Sequence, residues 1–358
     1  MRYSVSKPDL DGNELDYVTE AIKTGWISSQ GPFVKKFEDA FASWNGIKHG
    51  VACSSGTAAL TLALRALGIG PGDEVIVPEF TMIASAWAVS YTGAKPVFVD
   101  CKDDLNIDVS LIEGKITEKT KAIIPVHIYG RQCDMDAILD IAYNYNLKIV
   151  EDSAEAHGVR PRGHIACFSL FGNKIISSGE GGICITNDKN LAEQMVHLRA
   201  MAFTPQHDFI HKKIAYNFRM TNMQAAIALA QTERIDSFLK KRKQIESWYD
   251  EKLKDVRGVT LLPKRDVVWF YDVLVDNRQK LQEFLEEQGI ETRQFFKPMS
   301  RQPMYYDESW RSLKAAKYGY NGIYIPTYPS LNEQDIDFIV IKIKEFYGGE
   351  SESSRSFS

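Results

Sequence analysis

Six short runs, EVIVP, PVFVD, KAIIPVHIYG, LKIVEDS, IACFSLF and GGICITN, are apolar along most of their length instead of alternating apolar and polar residues. A strand buried on one face alternates, whereas a strand that is apolar throughout is buried on both faces and calls for helices on each side of a largely parallel sheet. The intervening segments SSGTAALTLALRAL and DMDAILDIAYNYN supply helical patterns. The spacing therefore predicts an α/β large domain over 1–235, opened by a surface helix that carries Leu15, Val18 and Ile22 on one face and stops at Gly25. Beyond it come a long charged helix (RIDSFLKKRKQIESWYDEKLKDV), a strand pair around VTLLP and VVWFYDVLV, and further helices. Residues 236–347 thus read as a smaller α+β domain. The tail GGESESSRSFS is too small and polar to pack, so 348–358 is expected to be disordered.

A formal charge of -4 provides no global field for nucleic acid or an anionic membrane. The cysteines at 53, 101, 133, 167 and 184 stand singly, without the paired spacing of zinc sites or disulfide frameworks. No apolar run approaches the ~20 residues of a membrane span, and the first residues have no apolar core of signal-peptide type. The expectation is a cytoplasmic protein with reduced thiols and no metal.

In open α/β sheets, ligands bind beyond the carboxyl ends of the strands. Four places qualify. Ser54-Ser55-Gly56-Thr57 precedes a helix, where free amides hold phosphate or a serine simply caps the helix. Asp152, after LKIV, is a carboxylate that calls for a cation such as a protonated pyridine, or else caps the next turn. Lys174 lies between an apolar strand and the glycine-rich Ser178-Gly179-Glu180-Gly181-Gly182. There it becomes a desolvated nucleophilic amine or stays an exposed loop lysine. Finally, Tyr216-Asn217-Phe218-Arg219-Met220-Thr221-Asn222 is a polar and aromatic knot in which Thr221 or Asn222 caps the following helix.

With Gly25-Trp26-Ile27-Ser28-Ser29, Gly31-Pro32, PEFT, VHIYG, EDSAEAHG, FSLFGNK, GEGG, YNFRMT and Pro326-Thr327-Tyr328-Pro329, these motifs occur in order over nearly the whole chain. In them the chain resembles the DegT/DnrJ/EryC1/StrS sugar aminotransferases of the pyridoxal-phosphate (PLP) fold-type I superfamily. The resemblance implies an aspartate-aminotransferase-like fold: a large domain with a mostly parallel mixed sheet flanked by helices, and a smaller α+β C-terminal domain. It implies that Lys174 carries PLP as a Schiff base and moves the proton, and that Asp152 pairs with the pyridinium nitrogen. Phe80 is expected to stack on the ring and Glu155 to sit beside its hydroxyl, with Gly56, Thr57 and Ser169 on the phosphate. Asn217 and Arg219 look like residues lent to the partner's site in a homodimer, Asn217 to the phosphate and Arg219 to an acidic group. His157, Ser28, Ser29, Arg293 and residues 326–331 are the expected substrate contacts.

The implied reaction runs through PLP and pyridoxamine phosphate, moving an amino group from L-glutamate to a nucleotide-linked keto sugar. Within the group the likeness is nearest to enzymes that aminate C4 of GDP-4-keto-6-deoxymannose, with dTDP- or UDP-linked 4-keto-6-deoxyglucose as the alternative. Dehydrases of this fold carry His where this chain has Lys174, and a non-catalytic relative would have lost the lysine or the carboxylate. Residues 159–167 form a shorter loop than relatives have, with His164 in place of an Asp, and this loop is expected near the sugar's entry.

Overall fold

The computed structural model describes residues 1–203, 209–211 and 213–353, apart from the side chains of 312 and 349–353. Seven strands form the main sheet: β1 (His49–Cys53), β2 (Glu74–Pro78), β3 (Lys95–Val99), β4 (Thr120–Ile123), β5 (Lys148–Asp152), β6 (Ile165–Ser169) and β7 (Gly182–Thr186). Their order is β1-β7-β6-β5-β4-β2-β3. The pairs from β3 through β6 are parallel, and β7 runs antiparallel to both β6 and β1. The sheet is therefore mixed and mostly parallel.

Its two faces feed two cores, as a period of two requires. Val75, Val77, Ala122, Ile124 and Val150 pack on one side; Ile76, Ile123 and Ile149 pack on the other with Ile138 of the helix Met135–Asn144. Helices cover both faces, so the continuous apolar runs have their cause.

A second sheet of β8 (Val259–Leu261), β9 (Tyr271–Val275), β10 (Arg293–Gln294) and β11 (Gly322–Ile325) has the antiparallel order β10-β11-β9-β8. Its core includes Tyr249, Tyr271 and Ile290. Tyr3 belongs to the same core and bridges Ile290. The first residues thus pack on the second sheet and not on the first, although nothing in MRYSV signals it. Trp269, Phe270, Phe295 and Tyr324 join the core of the main sheet. The last helix is assigned over Glu333–Ser353, so it runs into the first residues of the expected tail; 354–358 lie outside the described residues.

Ahead of the helix Asn222–Glu233, Thr221 is the cap, accepting from Gln224 N in a capping box. Asn222 is fully buried. Its Oδ1 accepts from Phe33 N at 2.8 Å and its Nδ2 donates to Trp26 O at 2.6 Å, which clamps the Trp26 to Phe33 turn. A Cβ on Gly31 would stand 2.1 Å from Asn222 Cγ, so only glycine allows the approach. Asn222→Ala leaves the buried Phe33 N–H unpaired, at about 1–3 kcal/mol, and frees the part-buried Trp26 carbonyl to water. We expect the urea midpoint to fall with m unchanged; a loss below about 0.5 kcal/mol, the range of ordinary surface changes, would remove the clamp from the argument.

Candidate active site

Asp152 ends β5 with its side chain on the face of Val150, while Glu151 points the opposite way. Ser85, from the helix Ile83–Tyr91, donates to Asp152 Oδ2 at 2.7 Å, and Ala154 N donates to Oδ1 at 3.1 Å. Burial raises the Asp152 pKa, and the Ser85 and Ala154 bonds, then the charges of Lys174 and His127, oppose that rise. Behind the strand, Glu151 Oε2 is 2.9 Å from His127 Nε2, and Cys133 N donates to His127 Nδ1 at 3.1 Å. That pattern fixes the His127 tautomer: Nδ1 accepts, so Nε2 carries the hydrogen.

Glu155 accepts from Tyr129 N at 2.9 Å. Burial pushes it up to about 7, against the pull of Lys174. Lys174 is half-buried. Burial lowers its pKa, and Glu155 and Asp152 raise it. Its Nζ lies 3.9 Å from the centroid of Trp269, whose Nε1 donates to Asn173 O at 2.8 Å. One amine and two carboxylates thus share a desolvated spot floored by an indole.

The third part is the turn before the helix Gly56–Ala66. Ser55 Oγ caps the helix by accepting from Ala58 N, and amides in a helix's first turn have no intrahelical acceptor. A Cβ on Gly56 would stand 2.8 Å from Ser169 Cβ, and one on Gly182 would stand 2.3 Å from Ser55 O. Glycine at both positions lets β6, β7 and the helix start converge, which sets Ser169 beside Gly56. Thr57 follows, half-buried. Ser54 N donates to Phe218 O at 2.8 Å, joining the Tyr216 to Asn222 knot to this turn.

Other expected residues lie elsewhere. Phe80 is fully buried, its ring 6.0 Å from each of Tyr129, Phe295 and Phe296. A ring that stacks on a cofactor must present a face, and Phe80 presents none. Three residues before Ser85, and so on the same side of that helix, Met82 is 48% exposed. His157 is also fully buried, 5.3 Å from Phe168 and 6.1 Å from Phe41. Burial, then Lys174 and Arg242, drives it down to about 3, which leaves a neutral packing histidine and no substrate contact.

Arg219 Nε donates to Asn217 Oδ1 at 2.9 Å. Ser29 and Arg219 line one cavity of about 200 Å³ with Arg199, and the adjacent Ser28 accepts at its carbonyl from Asn222 N. These four stand at an accessible edge next to the phosphate turn. Among the described residues, none of the four bonds to Lys174, Asp152 or Glu155. Arg293 is exposed in β10, pairs with Glu291, and lies opposite Tyr324, a phenol that feels both Arg293 and Glu155. Of 326–331, only Pro329 and Ser330 keep surface; Arg242 Nη1 and Tyr249 OH hold the buried carbonyls of Thr327 and Pro326. The loop at 160–164 is likewise not at a sugar entrance. Arg162 N and Gly163 N donate to Glu151 Oε1, so the loop lies on the sheet face opposite Asp152.

Residues 8–344 match the model of the DegT/DnrJ/EryC1/StrS aminotransferase family. The chain belongs to that family. It is 46% identical over 363 residues to the GDP-perosamine synthase of Caulobacter vibrioides, covering 96% of this chain and 98% of the relative. It is 42% identical over 362 residues to that of Escherichia coli O157:H7, covering 97% and 99%. The crystal structure of S. venezuelae DesV in complex with a ketimine intermediate matches with a TM-score of 0.87 at 34% identity, covering 94% of each chain. The protein is a PLP-dependent aminotransferase. Its residues suit that cofactor: a desolvated amine, a buried carboxylate in need of a cation, and a glycine-lined cradle of amides and hydroxyl where a side chain on Gly56 would collide with Ser169.

Sequence reasoning missed Ser85, Tyr129 and Trp269, which read as ordinary helix and strand residues. Asp152→Asn removes the charge and should lower single-turnover amination from L-glutamate about a hundredfold or more. Ser85→Ala removes one hydrogen bond to that charge and should lower it about tenfold, equivalent to about 1.4 kcal/mol. Unchanged kinetics in Asp152→Asn would return Asp152 to a capping role.

Proposed function

We propose that this aminotransferase moves the amino group of L-glutamate to C4 of GDP-4-keto-6-deoxymannose, giving GDP-perosamine and 2-oxoglutarate in the cytoplasm. The observation that carries the reading is the end-to-end likeness to GDP-perosamine synthases, 46% identical in one case and 42% in another. PLP, when bound, supplies an aldehyde for amines and a ring that accepts the electron pair released at the substrate carbon. Lys174, whose pKa burial lowers against the pull of Glu155 and Asp152, would anchor the group and carry the proton from and back to that carbon. Asp152, oriented by the Ser85 hydroxyl and the Ala154 amide that favour its charged form, would pair with the pyridinium nitrogen. Glu155, which burial pushes up to about 7, would stand beside the ring hydroxyl. Gly56, Thr57 and Ser169 would hold the phosphate.

We expect kcat/KM for the GDP-linked sugar to exceed those for dTDP- and UDP-linked 4-keto-6-deoxyglucose, with L-glutamate as donor. A tenfold preference for either alternative, about 1.4 kcal/mol, would sink the perosamine assignment and leave the aminotransferase standing.

Two subunits share each site in this reading, with Asn217 and Arg219 of one serving the other. The accessible Asn217–Arg219 pair next to the phosphate turn supports it. Mixing inactive Lys174→Ala with inactive Arg219→Ala protein should restore activity in exchanged heterodimers, because one site then holds every part. Proven exchange without recovery would put Arg219 in its own subunit's site or outside it.

A further inference from the structure

Away from Lys174, three cations converge, and among the described residues none has a carboxylate in ion-pair reach. Arg278 Nη1 and Lys297 Nζ both donate to Gly319 O, at 2.7 and 2.6 Å. Arg301 Cζ lies 5.1 Å from the Trp310 ring centroid and 5.3 Å from that of Tyr320, and Lys297 Nζ lies 5.3 Å from the latter. Burial, then Arg278 and Arg301, push Lys297 down to about 8. Burial and Arg301 also lower Arg278, and no carboxylate offsets either shift. Gly319 belongs to the last turn of the helix Lys314–Asn321. Such an end carries about half a unit of negative charge, which leaves more than two positive charges unbalanced. Trp310, under Arg301, keeps its Nε1–H buried without an acceptor. All four side chains are donors and none accepts.

We propose that Arg278, Lys297, Arg301 and Trp310 form a binding site for a diphosphate group, separate from the pocket of Lys174. Guanidinium forks match phosphate oxygens bidentately, and two linked phosphates carry the charge that the cluster lacks. Phe296, next to Lys297, turns toward the other place, its ring 6.0 Å from Phe80 and 5.2 Å from Tyr129. The diphosphate is either that of the nucleotide sugar, which rests on the function proposed above, or that of a free nucleotide or pyrophosphate.

Calorimetric titration of the PLP-loaded enzyme with inorganic pyrophosphate tests the site without any sugar substrate. Lys297→Met and Arg301→Gln should each weaken binding tenfold or more, and Arg301→Lys, which keeps the charge without the fork, should recover part of it. If KM for the GDP-linked sugar rises in the same variants, the site serves the substrate; if KM holds while pyrophosphate affinity falls, it serves a free diphosphate. Either result supports the site, and the pyrophosphate titration itself does not depend on which nucleotide the enzyme prefers. No binding to the wild type, or equal affinity in wild type and variants, would overturn it.

Discussion

Val267 N donates to the carbonyl of Gly130 at 3.0 Å. The contact is possible because residue 130 has no side chain: a Cβ there would stand 2.0 Å from Val267 O, and its φ of +83° suits glycine. Residues on either side use the same docking. Tyr129 N holds Glu155, while Arg131 Nε donates to Pro263 O at 2.8 Å and Arg131 Nη1 lies 2.9 Å from Asp272 Oδ2. Asp272 in turn meets Arg265, which reaches Glu246 at 3.1 Å. Removing one member of this buried network would leave a charge without its partner, a loss of about 3–5 kcal/mol. The docking also carries Trp269, two residues beyond Val267, over Lys174. The second lobe thus completes the site that the first begins.

Burial acts in opposite directions on the groups it gathers. It favours the neutral acid at Asp152 and Glu155 and the neutral amine at Lys174, while their mutual attraction favours the charged forms. The balance leaves Glu155 near neutrality, where a small change in surroundings moves its proton. Asp152 differs from Glu155 in having the Ser85 hydroxyl and the Ala154 amide, so it is the carboxylate better prepared to hold a negative charge against a ring nitrogen.

The main sheet was legible because strands buried on both faces have no polar alternation to confuse them, and the three chemical stations followed from strand ends. Gly56, Asp152 and Lys174 stood out because each follows its own apolar strand, although a cap or an exposed loop lysine fitted the residues as well; Ser169 came only with the family resemblance. Trp269 could not: an aromatic in VVWFYDVLV has the pattern of a packed strand, and nothing local says that its indole reaches a lysine 95 positions earlier. Phe80 and His157 failed for the converse reason. Their motifs place the backbone near the site, but whether a ring faces the pocket or the core depends on Phe295, Phe296, Phe41 and Phe168, which come from distant segments.

The loop at 160–164 is tethered by two backbone amides to Glu151 and rests on the sheet face away from Asp152. Arg160 and Arg162 there are exposed. Val159 is buried on one side, and Arg162, Gly163 and His164 are bonded to Asp136, Glu151 and Ile149 on the other, so the span can change length at Arg160 without moving the carboxylate. The same stretch is therefore a graft point: a tag, a fluorophore or a tether to a surface inserted after Arg160 would stand on the far side of the sheet from the reacting atoms.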